Sequence, residues 1–283
     1  MKRGIPWDAS FLHFLIGANM SVYIHGGLRT PIGVLNGQYR NMRPEMLGAQ
    51  LIDELINRYD ISQVDGIFCG NAVGTGGNIG RLMGLMTNLP NSVPAITVDM
   101  QCASALMSIE MAYAHIASGV MDSAIAGGIE SSSLQPDRMY AAGDDREGLY
   151  KVAQFSPQDC SPLAMLEGAE RTIQKHNVLK EDLYPYIIGS HKRASEALNN
   201  PHLKSYIMPI TIDGKACVDE CIRPKMNEKL LSRMKPLLGP NSITNAGNAC
   251  LTHDGAAFVY VSNEKGPFRI HSVMPWAGNP QFS

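Results

Sequence analysis

The chain lacks an excess of charge of either sign. Its 283 residues include 24 Lys and Arg against 26 Asp and Glu, which gives a formal net charge of −2. The basic residues are scattered, apart from short clusters such as residues 191–193. A protein that binds nucleic acid or an anionic membrane surface through electrostatics needs a basic patch. We therefore expect no nucleic-acid partner.

Long apolar runs are also missing, because no apolar stretch reaches the roughly 18 residues that a membrane-spanning helix needs. Residues 1–19 contain a short apolar run at 11–18, which faintly resembles a signal peptide, but polar residues such as Asp8 interrupt the segment. Met20 begins a clean strand pattern. We therefore expect no membrane span, and we expect residues 1–19 to be an extension that is non-native or disordered.

The cysteines show no regular spacing. Six are present, at positions 69, 102, 160, 217, 221 and 250. This spacing gives no disulfide framework, so reduced thiols in a cytoplasmic protein are expected. Cys217 and Cys221 have the spacing of a ligand pair, but no second pair follows at the spacing of a zinc site. The sequence therefore predicts no metal site.

Strand and helix patterns alternate from residue 20 onward. Short apolar runs predict strands at 21–25, 64–69, 95–98 and 123–126, and helical periodicity predicts helices at 44–59, 79–86 and 102–118. Glycine pairs are expected to close the first and last of these strands, at 26–27 and 127–128. Strands separated by helices of this length predict an α/β fold, with βαβ units on a sheet covered on both faces.

Residues 135–243 have a different character from the rest of the chain. They carry several prolines and many charges, with helical patterns at 161–176, 180–198 and 227–234. This composition predicts a long insertion folded over the sheet. Residues typical of a buried core return at 242–244 and at 256–261. Residues 268–273 are predicted to form a strand.

Cys102 stands where a strand pattern meets a long helical pattern. At a helix N-terminus, unpaired backbone N–H groups and the helix dipole favour a thiolate, which is the nucleophilic form of cysteine. The structural alternative is an inert packing cysteine. Separately, the glycine-rich loop 74–80 with Asp99 has a weak similarity to a dinucleotide-binding fingerprint, although its third glycine comes one residue late.

Several ordered motifs carry a family resemblance. Residues 98–105 (VDMQCASA), 126–131 (AGGIES), 244–249 (TNAGNA) and 254–257 (DGAA) resemble the signatures of thiolases, the acyl-CoA acetyltransferases. Residues 29–33, 71–74 and 169–170, together with Asp219-Glu220-x-x-Arg223, also fit. The resemblance runs from about Met20 to the C-terminus.

The resemblance implies a layered α/β/α fold. Residues 20–134 and 244–267 correspond to the N-terminal core half of a thiolase, and residues 135–243 to its inserted loop domain, which binds CoA. Residues 268–283 correspond to the first part of the C-terminal half. The rest of that half is missing, and the resemblance implies a homodimer or higher oligomer.

The resemblance also implies a reaction and its residues. Thiolases carry out Claisen condensation of an acyl-CoA with acetyl-CoA, or the thiolytic reverse, in fatty acid and lipid metabolism. They use CoA thioesters as substrates and no prosthetic group. By the resemblance Cys102 takes the acyl group, Arg223 contacts the nucleotide part of CoA, Met165 lines the pantetheine channel, and Ala246, Gly247 and Cys250 lie in the CoA-binding loop.

Departures from the family pattern are expected to change acyl preference or weaken binding. Ala105 replaces a glycine, Cys250 and Leu230 replace serines, and His253 replaces an asparagine. The second half of a thiolase supplies a Gly-His-Pro histidine, an Asn-Glu-Ala segment and a Cys-x-Gly-Gly-Gly cysteine. None of these strings occurs in the 283 residues.

Three hypotheses stay open at this point. The chain is a thiolase whose second half is missing or is a separate subunit, a CoA-binding protein without turnover, or another condensing or dinucleotide enzyme.

Overall fold

The computed structural model describes residues 20–151, 153–154 and 161–275. The strands are β1 (Val22–Arg29), β2 (Gly33–Val34), β3 (Ile67–Gly70), β4 (Ala95–Val98), β5 (Ser123–Ser131), β6 (Arg138–Met139), β7 (Leu149–Tyr150), β8 (Thr211–Ile212), β9 (Lys215–Ala216), β10 (His253–Ser262) and β11 (Phe268–Ile270). The helices are α1 (Pro44–Arg58), α2 (Ile79–Gly84), α3 (Ser104–Ala117), α4 (Ala164–Lys175), α5 (Lys180–Ala197), α6 (Pro201–Lys204) and α7 (Glu228–Ser232). The expectation for residues 1–19 lies outside the described residues, as do Cys160 and residues 276–283.

A mixed sheet forms the centre of the fold. Its strand order is β11-β1-β10-β5-β3-β4, with β2 paired to β10. β3 pairs in parallel with β4 and β5, which confirms the βαβ units through α2 and α3. β10 pairs antiparallel with β1 and β5. The long strands at the middle of the sheet are therefore antiparallel to their neighbour β10, unlike the parallel pairs that β3 makes.

Two strands run through the glycine pairs that were predicted to end them, so those boundaries were wrong. β1 continues through residues 26–27, with a bulge between Ile24 and Gly26. β5 continues through residues 127–128 to Ser131. These glycines permit close packing within the sheet: a Cβ on Gly128 would lie 2.8 Å from the carbonyl oxygen of Gly70 on the neighbouring strand.

The sheet buries apolar side chains on both faces, because side chains alternate along each strand. On one face, Ile67 and Ile125 pack in a core with Leu51 and other residues of α1 and α2. On the other face, Phe68 packs in a second core with Ile116 of α3. Each fully buried aliphatic side chain contributes about 1.5–3 kcal/mol relative to exposure. The layers are therefore α/β/α, as expected.

Residues 135–243 hold two short hairpins and the helices α4 to α7. The Glu170 carboxylate on α4 accepts hydrogen bonds from the backbone N–H groups of Ile243 and Thr244, each at 3.0 Å. Near β1, Met208 N–H donates to the carbonyl oxygen of Arg29 at 2.8 Å. These contacts anchor the segment to the sheet, and its division from the core as a domain stays a prediction.

Candidate active site

Cys102 lies in the turn between β4 and α3, two residues before the first residue of α3, and it is exposed. The preceding residue, Gln101, has a φ angle of 53°, in the left-handed region that residues other than glycine rarely adopt. Such backbone conformations persist only where the surrounding structure fixes them. The turn therefore presents Cys102 in an imposed geometry.

Hydrogen bonds from short polar side chains fix this turn. The Ser104 hydroxyl accepts from Met100 N–H at 2.8 Å and donates to the carbonyl oxygen of Gln101 at 2.6 Å. The Asp99 carboxylate accepts from Gln101 N–H at 2.9 Å. Ala103, the N-cap residue of α3, makes no capping hydrogen bond with its side chain. No side-chain oxygen therefore caps this 14-residue helix, which begins two residues after Cys102.

Cys102 opens into a cavity of about 490 Å³. Its walls come from five segments, which are residues 70–73, 101–105, 128–130, 253–257 and 29–32. Glu130 holds the first of these in place, because its carboxylate accepts from the backbone N–H groups of Ala72 at 2.9 Å and Val73 at 3.1 Å. Burial raises the pKa of Glu130 despite these hydrogen bonds, and the nearby charge of Asp99 adds to the rise.

The start of β10 forms another wall of the Cys102 cavity. The Asp254 carboxylate accepts from Ser133 N–H at 3.0 Å and from the Ser133 hydroxyl. The carbonyl oxygen of His253 accepts from the Ser132 hydroxyl at 3.2 Å. The imidazole Nε2 of His253 is buried, and it has no hydrogen-bond partner among the residues that the structure describes.

A second cavity, of about 590 Å³, lies between the inserted segment and residues 246–251. Its lining is mainly apolar, with basic groups from Arg223 and Lys225. The Arg223 guanidinium donates to the carbonyl oxygen of Glu220, which orients it. Gly247 lies close to α7, because a Cβ there would be 2.7 Å from a methyl group of Leu231. Burial and the charge of Arg223 lower the pKa of His191 on this wall.

The structure separates the predicted site residues into two groups. Cys102 lines the first cavity, whereas Arg223, Ala246 and Gly247 line the second. Neither cavity is lined by Met165, which is 67% exposed, or by Cys250, which is exposed and directs its thiol to the carbonyl oxygen of Leu251 at 3.4 Å. The roles of all six residues stay predictions.

One segment of chain connects the two cavities. Ala246, Gly247 and Leu251 line the second cavity, and residues 253–257 line the first, with Thr252 between them. The sequence reasoning did not predict this juxtaposition. It also did not name Gln101, Ser104 or Glu130 as site residues, although the motifs that indicated the family contain all three.

Comparisons with known proteins agree with this architecture. Residues 22–265 match the family profile described as "Thiolase, N-terminal domain". The chain is 33% identical over 244 residues to a Staphylococcus haemolyticus protein named "Putative acetyl-CoA C-acetyltransferase VraB", covering 84% of this chain and 64% of that protein. A VraB protein of Staphylococcus aureus strain MW2 is 32% identical over 249 residues, covering 86% of this chain and 65% of that protein.

A solved structure shows the same fold. The crystal structure of the Bacillus anthracis acetyl-CoA acetyltransferase superposes with a TM-score of 0.78 at 24% identity, covering 87% of this chain and 66% of that chain. The chain belongs to the thiolase family, and it matches the family's N-terminal part. It spans 63–65% of the length of these curated relatives.

The described residues contain neither a metal-binding cluster nor a membrane-spanning helix. Apart from the gaps at 152 and 155–160, residues 20–275 contain no group of three or more His, Cys, Asp or Glu side chains arranged to hold a metal ion. In the same part of the chain, no helix combines the length and apolarity needed to cross a bilayer.

Proposed function

We propose that this chain forms the acyl-accepting part of a thiolase-type acyltransferase. Cys102 takes the acyl group from an acyl-CoA as a thioester. The inserted segment 135–243 holds CoA, with Arg223 and Lys225 facing its phosphates and the apolar wall facing pantetheine. Arginine suits this role because its planar guanidinium binds phosphate with two hydrogen bonds.

The observation that carries this proposal is the continuous segment 246–257, which lines both cavities. A CoA thioester is long, so its nucleotide end and its reacting carbonyl need separate binding regions along one path. Ala246 and Gly247 face the region assigned to CoA, and residues 253–257 face the region around Cys102. The proposal predicts that pantetheine follows this segment from Arg223 to the Cys102 sulfur.

The chemical step is a thioester exchange. The Cys102 thiolate attacks the carbonyl carbon of the acyl-CoA, and the bond from that carbon to the CoA sulfur breaks. The CoA thiolate leaves and takes up a proton, while the acyl group stays on Cys102. The dipole of α3, whose N-terminus follows Cys102, favours the negative sulfur before attack.

The reaction of the complete enzyme is also part of the proposal. In the condensation direction, the carbanion of a second acetyl-CoA attacks the acyl group on Cys102, which releases the thiol. Thiolysis is the reverse. The relatives are longer than this chain, so these steps are proposed to use a C-terminal half, on the same or a separate polypeptide, and a homodimer or higher oligomer.

A cytoplasmic location and a place in fatty acid and lipid metabolism complete the proposal. The location is supported by the free thiols of Cys69, Cys102, Cys217, Cys221 and Cys250, because structural disulfides form mainly in oxidising compartments. The metabolic role rests on the resemblance to thiolases, and the names of the relatives describe acetyl-CoA acetyltransferases only.

A single-turnover experiment separates this function from CoA binding without chemistry. We expect the chain to release free CoA from acetyl-CoA, up to one equivalent per chain, when the products are resolved by chromatography. Cys102→Ala should abolish the release. Binding of CoA without any release would favour the non-catalytic alternative, and absence of both would reject the proposed function.

The CoA-binding assignment has its own matched pair of variants. We expect Arg223→Gln to weaken CoA binding about tenfold or more, because a hydrogen bond to a charged group is worth about 1.5–3 kcal/mol. Lys192→Gln removes one positive charge from the exposed surface of α5, outside both cavities, and should leave the dissociation constant nearly unchanged. Equal effects in calorimetric titrations would contradict the assignment.

A further inference from the structure

Glu220 belongs to the inserted segment, but its side chain and its backbone are both bonded to the connection between β1 and α1. One oxygen of the carboxylate accepts from Val34 N–H at 3.0 Å and from Gln38 N–H at 3.1 Å. The N–H group of Glu220 donates to the carbonyl oxygen of Ile32 at 3.0 Å. The connection can wrap around the carboxylate because residue 37 is glycine, where a Cβ would collide with a carboxylate oxygen. Glu220 is therefore fixed to the core of the fold.

The carbonyl oxygen of Glu220 holds the side chain of Arg223. It accepts a hydrogen bond from Nη1 of the guanidinium, and the carbonyl oxygen of Ile222 accepts from the same nitrogen at 3.3 Å. Within the described ranges no protein group bonds to Nε or Nη2 of Arg223, so that edge of the guanidinium is left for a ligand. Two parallel N–H groups on one edge are the arrangement with which arginine binds a phosphate.

We propose that Glu220 is a positioning residue for CoA binding, because it fixes the Arg223 guanidinium in the orientation that meets a phosphate of CoA. This inference rests on the proposed function, in which Arg223 faces the phosphates, and it names the residue that holds the arginine. Glu220 lines neither cavity, so it acts through Arg223 and does not touch the ligand. An arginine that is held before binding loses less conformational freedom when the ligand arrives, which increases the affinity.

The same attachment relates the two cavities to each other. Asp219, the residue before Glu220, bonds to Arg29 and to the N–H group of Ile32, and both of these partners line the Cys102 cavity. A CoA thioester that spans both cavities needs its phosphate contact at a set distance from the Cys102 sulfur. Because residues 219–220 are bonded to the wall of the Cys102 cavity, they hold the arginine at a fixed distance from that wall.

The test compares dissociation constants for free CoA, measured by calorimetry, in matched variants. Glu220→Ala removes the carboxylate that anchors the residue, but it leaves the backbone carbonyl group present. Glu220→Gln is the conservative control, because one amide oxygen can accept from both N–H groups. Each change is also made in Arg223→Gln protein. Glu220→Asp draws the carboxylate back by one methylene, and it replaces Glu220→Ala in the same comparisons if that protein does not fold.

We expect Glu220→Ala to weaken CoA binding about two- to twelvefold, the range for ordering one long side chain on binding, and Glu220→Gln to retain most of the affinity. In Arg223→Gln protein, Glu220→Ala should change the dissociation constant less than about twofold, because the side chain that Glu220 positions is gone. A residue that only maintained the shape of the cavity would give the same loss in both backgrounds.

Three results would overturn the proposal while leaving the proposed function intact. In the first, folded Glu220→Ala protein binds CoA as tightly as wild type. In the second, the loss is equal with and without Arg223, which would make Glu220 a structural residue. In the third, Glu220→Gln loses as much affinity as Glu220→Ala. Failure of wild-type protein to bind CoA would reject the proposed function and this inference with it. Circular dichroism and thermal unfolding of each variant confirm that the compared proteins are folded.

Discussion

Arg29 and Asp219 form a two-armed ion pair between β1 and the inserted segment, with both nitrogen–oxygen distances at 2.8 Å. The Asp219 carboxylate also accepts from Ile32 N–H at 2.8 Å, and its side chain is only 6% exposed. Burial raises the pKa of Asp219, but the hydrogen bonds from Arg29 and Ile32 and the charge of Arg29 outweigh it and lower the pKa. Since Arg29 and Ile32 line the Cys102 cavity, the pair supports that wall.

Asp219→Asn should destabilise the protein by about 2–3 kcal/mol, because it leaves a partly buried guanidinium without its counter-charge. The free energy of unfolding in urea measures the change. Glu54→Gln is the control, since it removes the exposed i,i+4 pair with Arg58 and should cost about 0.5 kcal/mol or less. Equal losses in the two variants would show that the buried pair has no special role in stability.

Glu170 is a second anchor between the inserted segment and the core. Burial raises its pKa, but hydrogen bonds from the Thr244 side chain, from the backbone of Ile243 and Thr244 and from Ser242 dominate and lower the pKa to about 2. An unfolded glutamate has a pKa of about 4.3. The ionised carboxylate therefore adds stability that is fully present above the unfolded value and is lost as the pH falls toward 2.

The corresponding variant is Glu170→Gln. We expect it to lower the free energy of unfolding by about 2–3 kcal/mol at neutral pH, and we expect the difference from wild type to shrink between about pH 4 and pH 2. Chemical unfolding at several pH values measures this. Glu196→Gln, at an exposed pair on α5, should change little at any pH. A difference for Glu170→Gln that stays constant down to pH 2 would contradict the assignment.

Cys102 should alkylate faster than the other cysteines. It is exposed at the start of α3, whereas Cys69 is fully buried, and burial raises the pKa of the Cys69 thiol to about 12. The informative comparison is with Cys250, which is also exposed but does not precede a helix. Peptide mapping after brief iodoacetamide treatment of folded protein measures the rates. Faster labelling of Cys250 or Cys69 would reject Cys102 as the activated thiol.

Much of the fold could be predicted from periodicity, and the boundaries that failed have a physical reason. The periodicity predicted β4 with the observed bounds, Ala95–Val98. It also predicted that α1 begins at Pro44, with an end one residue after the observed one. Both predictions hold because the spacing of apolar residues follows their burial. Glycine marked strand ends wrongly at residues 26–27 and 127–128, where the strands continue through close contacts with neighbouring elements. A local pattern carries no information about such distant neighbours.

The candidate site could be predicted only in part. The strand-to-helix junction of Cys102 follows from local sequence, and the structure places it there. The link from Glu130 to residues 72–73 joins segments 57–58 positions apart, and the wall at His253 comes from much later in the chain. Tertiary packing brings these residues together, so spacing alone could not identify them.

The polypeptide of residues 1–283 should show little thiolysis of acetoacetyl-CoA, even if Cys102 accepts an acyl group. The carbanion step needs a positioned base and donors for the enolate oxygen. The family motifs that supply them are not among these residues. Loss of a general base costs about 10²–10⁴ in rate. Robust turnover that Cys102→Ala abolishes would contradict this and would indicate a base within these residues, such as His253.

The most direct measurement is the mass of the peptide that contains Cys102 after incubation of folded protein with acetyl-CoA. We predict the mass increase of one acetyl group on Cys102, its absence in Cys102→Ala protein, and its persistence in Cys250→Ser protein. Removal of the group by hydroxylamine would show that the bond is a thioester. Acetylation of another cysteine, or none at all in protein shown to bind CoA, would contradict the assignment of Cys102 as the acyl acceptor.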